Sequence, residues 1–415
     1  MPARAKAQGI ILPGSGGMHM SMAGASTAVG EDAAGALYWN PAVISGLQGS
    51  EVVVGGQVLF PEFHLGSSAL AGSLSGTTPS HSGVSMLPGI GTVYKPEDSK
   101  LTYGMGIFAL AGGGVNFPGD NGNPLLSATG PLKKFILGPE ESFMLSFAVS
   151  PTVSYQVTDR LAVGAGPMID MAIVSFDPAF FAQPAPNGLG QLVFPAGTHS
   201  HPFWGGGFRA GLTYKILEGL TFGFSYMSPQ WFEQWRFDSK DPNGNPTEVQ
   251  THATFPMIFS WGLAYSGIDR LLLAADLRYI DYKDALLFGT PVQNGGAGWN
   301  SIFALALGSR YKLSDRLSVQ LGYLFNQNPV PNNLALFNTE LPALTMHTIT
   351  LGAYFQVNDA IGMSLAYEHG FKNSISGSVF NFPGASVSLD SEFDSFIFGM
   401  HFRIGAWPSQ HGDET

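Results

Sequence analysis

The sequence contains no cysteine, few charges and no long apolar run. Without cysteine, neither disulfides nor thiolate-based metal and redox chemistry is available to the 415-residue chain. Glycine, proline or a polar residue interrupts each apolar stretch before it reaches the ~20 residues that a membrane-spanning helix requires. A disulfide-stabilised domain and a helical membrane protein are therefore both excluded.

Charged residues make up only 12% of the chain, about half the ~25% typical of soluble proteins. The chain has 19 Lys and Arg against 30 Asp and Glu, and a net charge of −11 argues against nucleic-acid binding. Few charges indicate that much of the surface faces something other than water. A closed β-barrel is the other architecture that satisfies every backbone group inside a bilayer, and a chain with 54 glycines is compatible with it.

Apolar residues recur at every second position in many segments. Between residues 316 and 326, one face carries Leu, Val, Leu, Tyr and Phe, and the other carries Arg, Ser, Gln, Gly and Asn. Such alternation predicts strands with one face toward lipid and one toward a polar interior. The predicted strands are residues 51–60, 86–95, 101–110, 143–157, 160–176, 203–216, 219–230, 251–266, 269–283, 299–313, 316–327, 344–357, 360–371 and 392–404.

The predicted connections alternate in length along the chain. Short polar turns such as 158–159 alternate with long segments such as 111–142 and 177–202. Outer-membrane barrels have short turns at the periplasmic rim and long loops at the outer rim. We therefore predict an all-β fold, a 14-stranded antiparallel transmembrane β-barrel. A large soluble β-protein with an aromatic core is the alternative.

The residues before the first predicted strand differ from the rest of the chain. They are rich in Gly, Ala and Ser, and such a small-residue segment tethered inside a barrel is expected to form a plug. Residues 22–47, MAGASTAVGEDAAGALYWNPAVISGL, resemble the hatch of the FadL family, which ends in Asn-Pro-Ala. This family comprises outer-membrane transporters of long-chain fatty acids and other hydrophobic compounds. The resemblance continues in the segments 149–166, 204–229, 255–282 and 304–331.

The resemblance implies a division of the chain into four parts. These are a residual signal or linker segment at 1–8, an N-terminal hatch inside the lumen at 9–47, the barrel at 51–404 and a C-terminal tail at 405–415. It also implies a location in the outer membrane of a Gram-negative-type bacterium. We expect a monomer that contacts outer-membrane lipid and is not an enzyme, with no cofactor and no metal.

The function that the resemblance implies is passive transport of fatty acids or hydrocarbons. Family members capture hydrophobic molecules with their outer loops and bind them in an apolar lumen pocket. Release then occurs laterally into the membrane, at a kink in the third strand. Lateral release is physically reasonable, because a hydrocarbon gains about 0.8 kcal/mol for each CH₂ group kept away from water.

The Asn40-Pro41-Ala42 turn is the first candidate site. Pro41 fixes its own φ angle, Asn40 is able to bond the nearby backbone, and Ala42 is small enough to approach the wall closely. The residues alone allow either a wedge against a wall strand or a simple corner between plug and barrel. Gly104 and Gly106 lie in the third predicted strand, where glycines mark bends. The resemblance favours a gate formed by these five residues.

Two further groups are candidates for substrate contact. Arg209 and Arg278 face the lumen if the alternation is correct, and each would either bind an acidic ligand or pair with an acid such as Asp276. The outer segment 177–202 carries apolar residues where water is expected, which indicates capture of a ligand or packing of the loop on itself. Its candidate capture residues are Phe180, Phe181, Leu189, Leu192, Val193 and Phe194.

Two other functions compete with the transporter. A general diffusion porin for small polar solutes would have an open, charge-lined lumen, whereas this chain has few predicted lumen charges. An outer-membrane hydrolase would use scattered Ser, His and Asp residues, although the chain lacks the Gly-x-Ser-x-Gly nucleophile elbow.

Overall fold

The computed structural model describes residues 9–127, 138–187, 190, 192–198, 201–241, 244–379 and 382–405. The predicted segment at 1–8 and the tail beyond Gly405 lie outside the described residues. Within the described ranges, no helix combines the length and the apolar character needed to cross a membrane.

Long antiparallel strands form a sheet that closes on itself. Each strand pairs with the next along the chain, and the first also pairs with the last, from Ser50↔Ile404 to Ser68↔Ser386. The predicted 14-stranded antiparallel barrel is confirmed. The strands are β1 (Ser50–Ala69), β2 (Ser85–Tyr94), β3 (Leu101–Phe117), β4 (Glu140–Gln156), β5 (Leu161–Asp177), β6 (Phe203–Leu217), β7 (Leu220–Met227), β8 (Met257–Ile268), β9 (Leu271–Asp281), β10 (Ile302–Lys312), β11 (Leu317–Asn326), β12 (His347–Gln356), β13 (Ile361–Ser378) and β14 (Ser386–Ile404).

The strand connections follow the predicted alternation, with short turns after even-numbered strands and long connections after odd-numbered ones. Short helices and short strands lie in the N-terminal segment and in the long connections. The α-helices are α1 (Gly17–Met20) and α2 (Ala33–Trp39), and the 3₁₀ helices are Pro41–Gly46, Leu70–Gly72, Val292–Asn294 and Asn332–Asn338. The short strands are Leu74–Pro79, Ala185–Pro186, Leu192–Val193, Gln230–Phe232, Trp235–Lys240, Pro246–Thr251 and Thr254–Phe255.

Several strand boundaries differ from those predicted. β1 continues to Ala69 and pairs there with Leu74–Pro79, where polar and small residues replace the apolar alternation. β8 begins at Met257 rather than at residue 251, because Pro246–Thr251 pairs with Trp235–Lys240 in a separate outer hairpin. The alternating pattern therefore located the wall of the barrel but not its extensions beyond the wall.

Side chains alternate between an exposed apolar face and a buried face. On β11, Val319, Leu321 and Tyr323 are exposed, whereas Ser318 and Gln320 are buried. This arrangement gives the barrel an apolar outer belt, as expected for a wall that meets lipid. Exposed tyrosines lie near the short-turn rim, namely Tyr103, Tyr155, Tyr214, Tyr265 and Tyr311.

The N-terminal segment, residues 9–47, lies inside the barrel. Every residue from 14 to 28 and from 32 to 45 is buried. Helix α1 contacts β12, β13 and β14, α2 contacts β1, β2 and β3, and the following 3₁₀ helix contacts β3 to β6. Contacts with so many strands mean that this segment fills the lumen rather than leaning against one wall.

Candidate functional site

A buried ion pair on β9 holds the first half of the N-terminal segment. Arg278 Nη2 donates to Asp276 Oδ2 at 2.9 Å and also to the carbonyl of Gly24. The guanidinium carbon lies 4.1 Å from the ring centroid of Trp39. Asp276 Oδ2 accepts from the backbone N–H and the hydroxyl of Thr27, at 3.0 and 2.7 Å. Both members of the pair therefore hydrogen-bond the N-terminal segment.

A second buried cation, Arg209 on β6, holds the end of α2. Its guanidinium donates to the carbonyls of Leu37 and Tyr38, and to Thr152 Oγ1 at 2.9 Å. The ring of Phe108 lies 5.5 Å from its guanidinium carbon. Carbonyls in the last turn of a helix have no partner within the helix and carry the negative end of its dipole, so a cation is stabilising there.

The Asn40-Pro41-Ala42 turn joins α2 to the Pro41–Gly46 helix and contacts the wall. Asn40 Oδ1 accepts from the backbone N–H of Ala42 at 3.0 Å, and Nδ2 donates to the carbonyl of Leu212 on β6 at 3.0 Å. The carbonyl of Ala42 accepts from Ser154 Oγ on β4 at 3.2 Å. The hydrogen bonds of the turn thus reach β4 and β6, and the Pro41–Gly46 helix that follows also contacts β3.

Leu37 of α2 packs against β3 at Gly104. A Cβ atom added at Gly104 would lie 2.6 Å from Leu37 Cδ2, and one at Gly106 would lie 3.4 Å from Leu37 Cβ. Gly104 therefore makes room for α2, whereas a side chain at Gly106 would first overlap the ring of Phe108. The irregularity in β3 lies further along, as a shift of the β3–β4 register between Ala109 and Ala111.

The barrel wall has a break in pairing between β2 and β3. Their ladder ends at Gly89↔Phe108, although β2 begins at Ser85 and β3 continues to Phe117. Residues 109–117 pair with β4 on their other side. We call this break the β2–β3 gap.

Two contacts close the β2–β3 gap from inside. The backbone N–H of Leu12, in the N-terminal segment, donates to the carbonyl of Leu110 at 2.9 Å. The buried side chain of Leu87 lies against Gly112, where a Cβ atom would overlap its Cδ2. The gap is therefore covered by one side chain and one segment of backbone.

A mostly apolar cavity of about 190 Å³ adjoins the β2–β3 gap. The N-terminal segment at residues 9–13, the β3 residues 111–114 and the outer segment 340–345 form three of its sides. Gly112 thus contacts both the cavity and Leu87. Apolar side chains that line the cavity from other strands include Leu59, Phe63, Met144, Phe176 and Leu324.

Glu340 borders the cavity from the long connection between β11 and β12. Its carboxyl group is buried, and its backbone carbonyl accepts from Ser142 Oγ at 2.6 Å. Burial raises the pKa of Glu340 well above its usual value, and the nearby carboxylates of Glu140 and Asp177 raise the pKa further. The protonated form of Glu340 is therefore favoured.

The three predicted capture phenylalanines, Phe180, Phe181 and Phe194, lie in an aromatic cluster outside the cavity. Phe180 contacts Phe194 with ring centroids 5.1 Å apart, and Phe181 contacts Phe176 at 5.6 Å. Phe176 is the member of these pairs that lines the cavity. The loop thus packs largely on aromatic neighbours. Phe176 connects this cluster to the wall of the cavity.

The other capture candidates differ in exposure. Leu192 is 44% exposed and Val193 is half-buried, whereas Leu189 lies outside the described residues. None of the described capture candidates lines the cavity, and neither do Arg209 and Arg278. Residues that do line it, such as Leu12, Gln57, Glu340 and Glu368, were not selected from the sequence. Gln57 and Glu368 could have been identified from the sequence as polar residues on the inward face of alternating strands.

The chain matches a family model over nearly its whole length. The model is described as outer membrane protein transport protein (OMPP1/FadL/TodX), and it matches residues 2–405. Among curated proteins, none matches the chain.

Solved structures with the same fold have low sequence identity to the chain. The P. putida toluene transporter TodX has a TM-score of 0.72 at 16% identity, over 95% of this chain and 100% of that one. The Ralstonia pickettii toluene transporter TbuX has a TM-score of 0.71 at 16% identity, over 95% and 99%. A Pseudomonas aeruginosa FadL homologue has a TM-score of 0.72 at 16% identity, over 96% and 100%. At such identities the likeness shows the fold alone.

Proposed function

The chain belongs to the OMPP1/FadL/TodX family of outer-membrane transport proteins, and we propose that it passes hydrophobic small molecules from its long-loop side into the membrane. It is an outer-membrane channel and not an enzyme. In this proposal the molecule enters at the outer loops, binds in the cavity and leaves sideways through the β2–β3 gap. The barrel closes within one chain, which supports a monomer as the transporting unit.

The N-terminal segment acts in this proposal as a hatch that blocks straight passage. Its burial and its contacts with strands on all sides of the lumen support this role. Arg209, Arg278 and the Asn40-Pro41-Ala42 turn anchor it, so we assign them to the hatch and not to the substrate. A filled lumen favours this route over general diffusion of polar solutes.

The β2–β3 gap is the observation that carries the lateral route. The pairing between β2 and β3 ends with Gly89 and Phe108. The cavity reaches the edge of the gap at Gly112. A hydrocarbon that moves sideways remains in apolar surroundings and retains about 0.8 kcal/mol per CH₂ group, which an aqueous exit would cost. Gly104 contributes by letting α2 approach β3 next to the gap, and Gly106 by leaving room for the ring of Phe108.

The aromatic cluster in the outer loops is the proposed entry point. Leu192 is exposed there, and the contact between Phe181 and Phe176 links the cluster to the cavity wall. TodX and TbuX are both described as toluene transporters, which supports a small aromatic hydrocarbon as cargo over a long-chain fatty acid.

The test is uptake of labelled toluene by cells that produce the protein or its Gly112→Val variant. A valine at this position takes the space that the end of the Leu87 side chain now occupies and so narrows the edge of the cavity. Uptake should fall severalfold while the amount of folded barrel stays the same. Gly119→Ala, in an outer loop with room for a Cβ atom, is the matched control. Equal uptake with and without the protein, together with large steady ion conductance in planar bilayers, would instead identify a diffusion porin.

A further inference from the structure

Three buried polar residues, Gln57, Glu368 and Ser395, form a hydrogen-bonded cluster beside the apolar cavity. Gln57 Nε2 donates to Glu368 Oε2 at 3.0 Å and to Ser395 Oγ at 2.9 Å, and Ser395 Oγ donates to the same oxygen of Glu368 at 3.0 Å. All three residues are buried, and Gln57 and Glu368 line the cavity. Within the described chain, no donor reaches the other oxygen of Glu368, Oε1. A cavity ligand is therefore able to provide the missing donor.

The cavity has acidic lining residues and no counterpart of opposite charge. Glu340, Glu368 and Glu392 border it, whereas no Lys or Arg occurs among its described lining residues. Arg209 and Arg278, buried elsewhere in the lumen, are committed to the N-terminal segment. Transfer of an anion from water into an apolar site without a cation is strongly unfavourable. A carboxylate ligand is thus disfavoured, because it would lose its hydration without gaining a cation as partner.

The size of the cavity indicates a compact ligand. Its volume is about 190 Å³. An apolar protein cavity of roughly 150 Å³ stays dry and binds benzene. The space therefore suits one aromatic ring with small substituents.

Building on the proposed transport function, we propose that the cavity selects neutral single-ring aromatic molecules that carry a hydrogen-bond donor, with the donor bound to Glu368 Oε1. A phenol is the simplest such molecule. A phenolic hydroxyl donates to this oxygen, and a hydrogen bond inside a mostly apolar cavity is stabilising. A plain hydrocarbon fits the space but leaves the oxygen unpaired. A carboxylate of the same shape provides no donor and adds a charge.

Three ligands with the same ring and methyl group separate these cases: 4-methylphenol, toluene and 4-methylbenzoate. Their binding to purified protein in lipid nanodiscs is measured by calorimetry, without detergent that would compete for the cavity. We expect 4-methylphenol to bind about tenfold more tightly than toluene, the size expected for one buried hydrogen bond. We expect 4-methylbenzoate to bind at least tenfold more weakly than toluene.

Glu368→Met removes the acceptor and the charge while keeping a side chain of similar length. It should abolish the preference for 4-methylphenol and leave toluene affinity within about twofold. The control is Glu62→Met, which removes a carboxylate from the exposed face of β1 and should leave all three affinities unchanged. If Glu368→Met does not assemble, the order of the affinities of the three ligands for the unmodified protein tests the proposal by itself.

Failure of this inference is distinguishable from failure of the transport proposal. Equal binding of toluene and 4-methylphenol, tight binding of 4-methylbenzoate, or an unchanged preference in Glu368→Met overturns the selectivity and leaves transport intact. Absence of both binding and cellular uptake for every ligand overturns the transport proposal itself.

Discussion

Arg278 stacks on Trp39 with 4.1 Å between its guanidinium carbon and the ring centroid, and so joins the barrel wall to the residue that precedes Asn40. The same guanidinium pairs with Asp276, whose carboxylate receives hydrogen bonds from the N-terminal segment. Both members of the pair thus hydrogen-bond the N-terminal segment, Arg278 at Gly24 and Asp276 at Thr27. The pair fastens the hatch, and this role is testable.

Replacement of Arg278 should loosen the hatch. Arg278→Met leaves Asp276 buried without its cation, and breaking a buried ion pair typically costs about 3–5 kcal/mol. We expect the barrel to unfold at a lower temperature, as followed by the band of folded protein in gel electrophoresis. We also expect a higher ion leak in planar bilayers. Arg270→Met, at a side chain 54% exposed in the turn after β8, is the control. Unchanged stability and leak would show that the hatch is held by other contacts.

The Asn40 side chain should matter through its hydrogen bonds. Asn40→Ala removes the cap on the Pro41–Gly46 helix and the bond to the carbonyl of Leu212, which together are worth about 1–3 kcal/mol. The expected result is a measurable drop in thermal stability with slower toluene uptake. Asn333→Ala, at an exposed asparagine in an outer loop, should change neither quantity. Slower uptake without any loss of stability would contradict a purely anchoring role.

The side chain of Leu87 should limit the rate of exit. Leu87→Ala shortens the side chain that covers Gly112, so toluene uptake should rise by about twofold or more. Leu321→Ala, which shortens a lipid-facing leucine of β11 that is 61% exposed, should leave uptake unchanged. The prediction fails if Leu87→Ala transports no faster than the unmodified protein at equal expression.

Glu340 should make stability depend on pH. Its pKa is raised by folding, so the unfolded chain releases this proton at a lower pH than the folded chain. Stability is thus lost as pH rises above the ordinary glutamate value, by at most about 1.4 kcal/mol per pH unit up to the raised pKa. Glu340→Gln should unfold at a higher temperature than the unmodified protein at pH 8, with a smaller difference at pH 5. Glu62→Gln should show no such trend.

The barrel was predictable from sequence because each wall strand alternates apolar and small or polar residues. On β11 this alternation placed Val319 and Leu321 on the lipid side, where the structure has them. The signal ends where a strand leaves the membrane. The upper part of β1, with Gly66 and Ser67, carries too few alternating apolar residues to be recognised, and its partner Leu74–Pro79 was missed.

The cavity was harder to predict because distant segments build it. Leu12 and Leu87 are ordinary apolar residues in the sequence, and only closure of the barrel brings them to the β2–β3 gap. Arg209 and Arg278 were recognised as inward-facing. The alternating pattern does not reveal which groups an arginine in the lumen contacts. The hatch supplies their partners, and its path through the lumen is not encoded in any strand pattern.

The most direct test of lateral release is a reversible seal across the β2–β3 gap. A Cβ atom at Gly112 would lie 3.6 Å from Leu87 Cγ, so a Leu87→Cys/Gly112→Cys pair is placed to form a disulfide in a chain with no other cysteine. Oxidation should stop toluene uptake while ligand binding to the cavity persists, and reduction should restore uptake. Equal uptake by the oxidised and reduced forms, with the disulfide verified by mass spectrometry, would contradict exit through this gap.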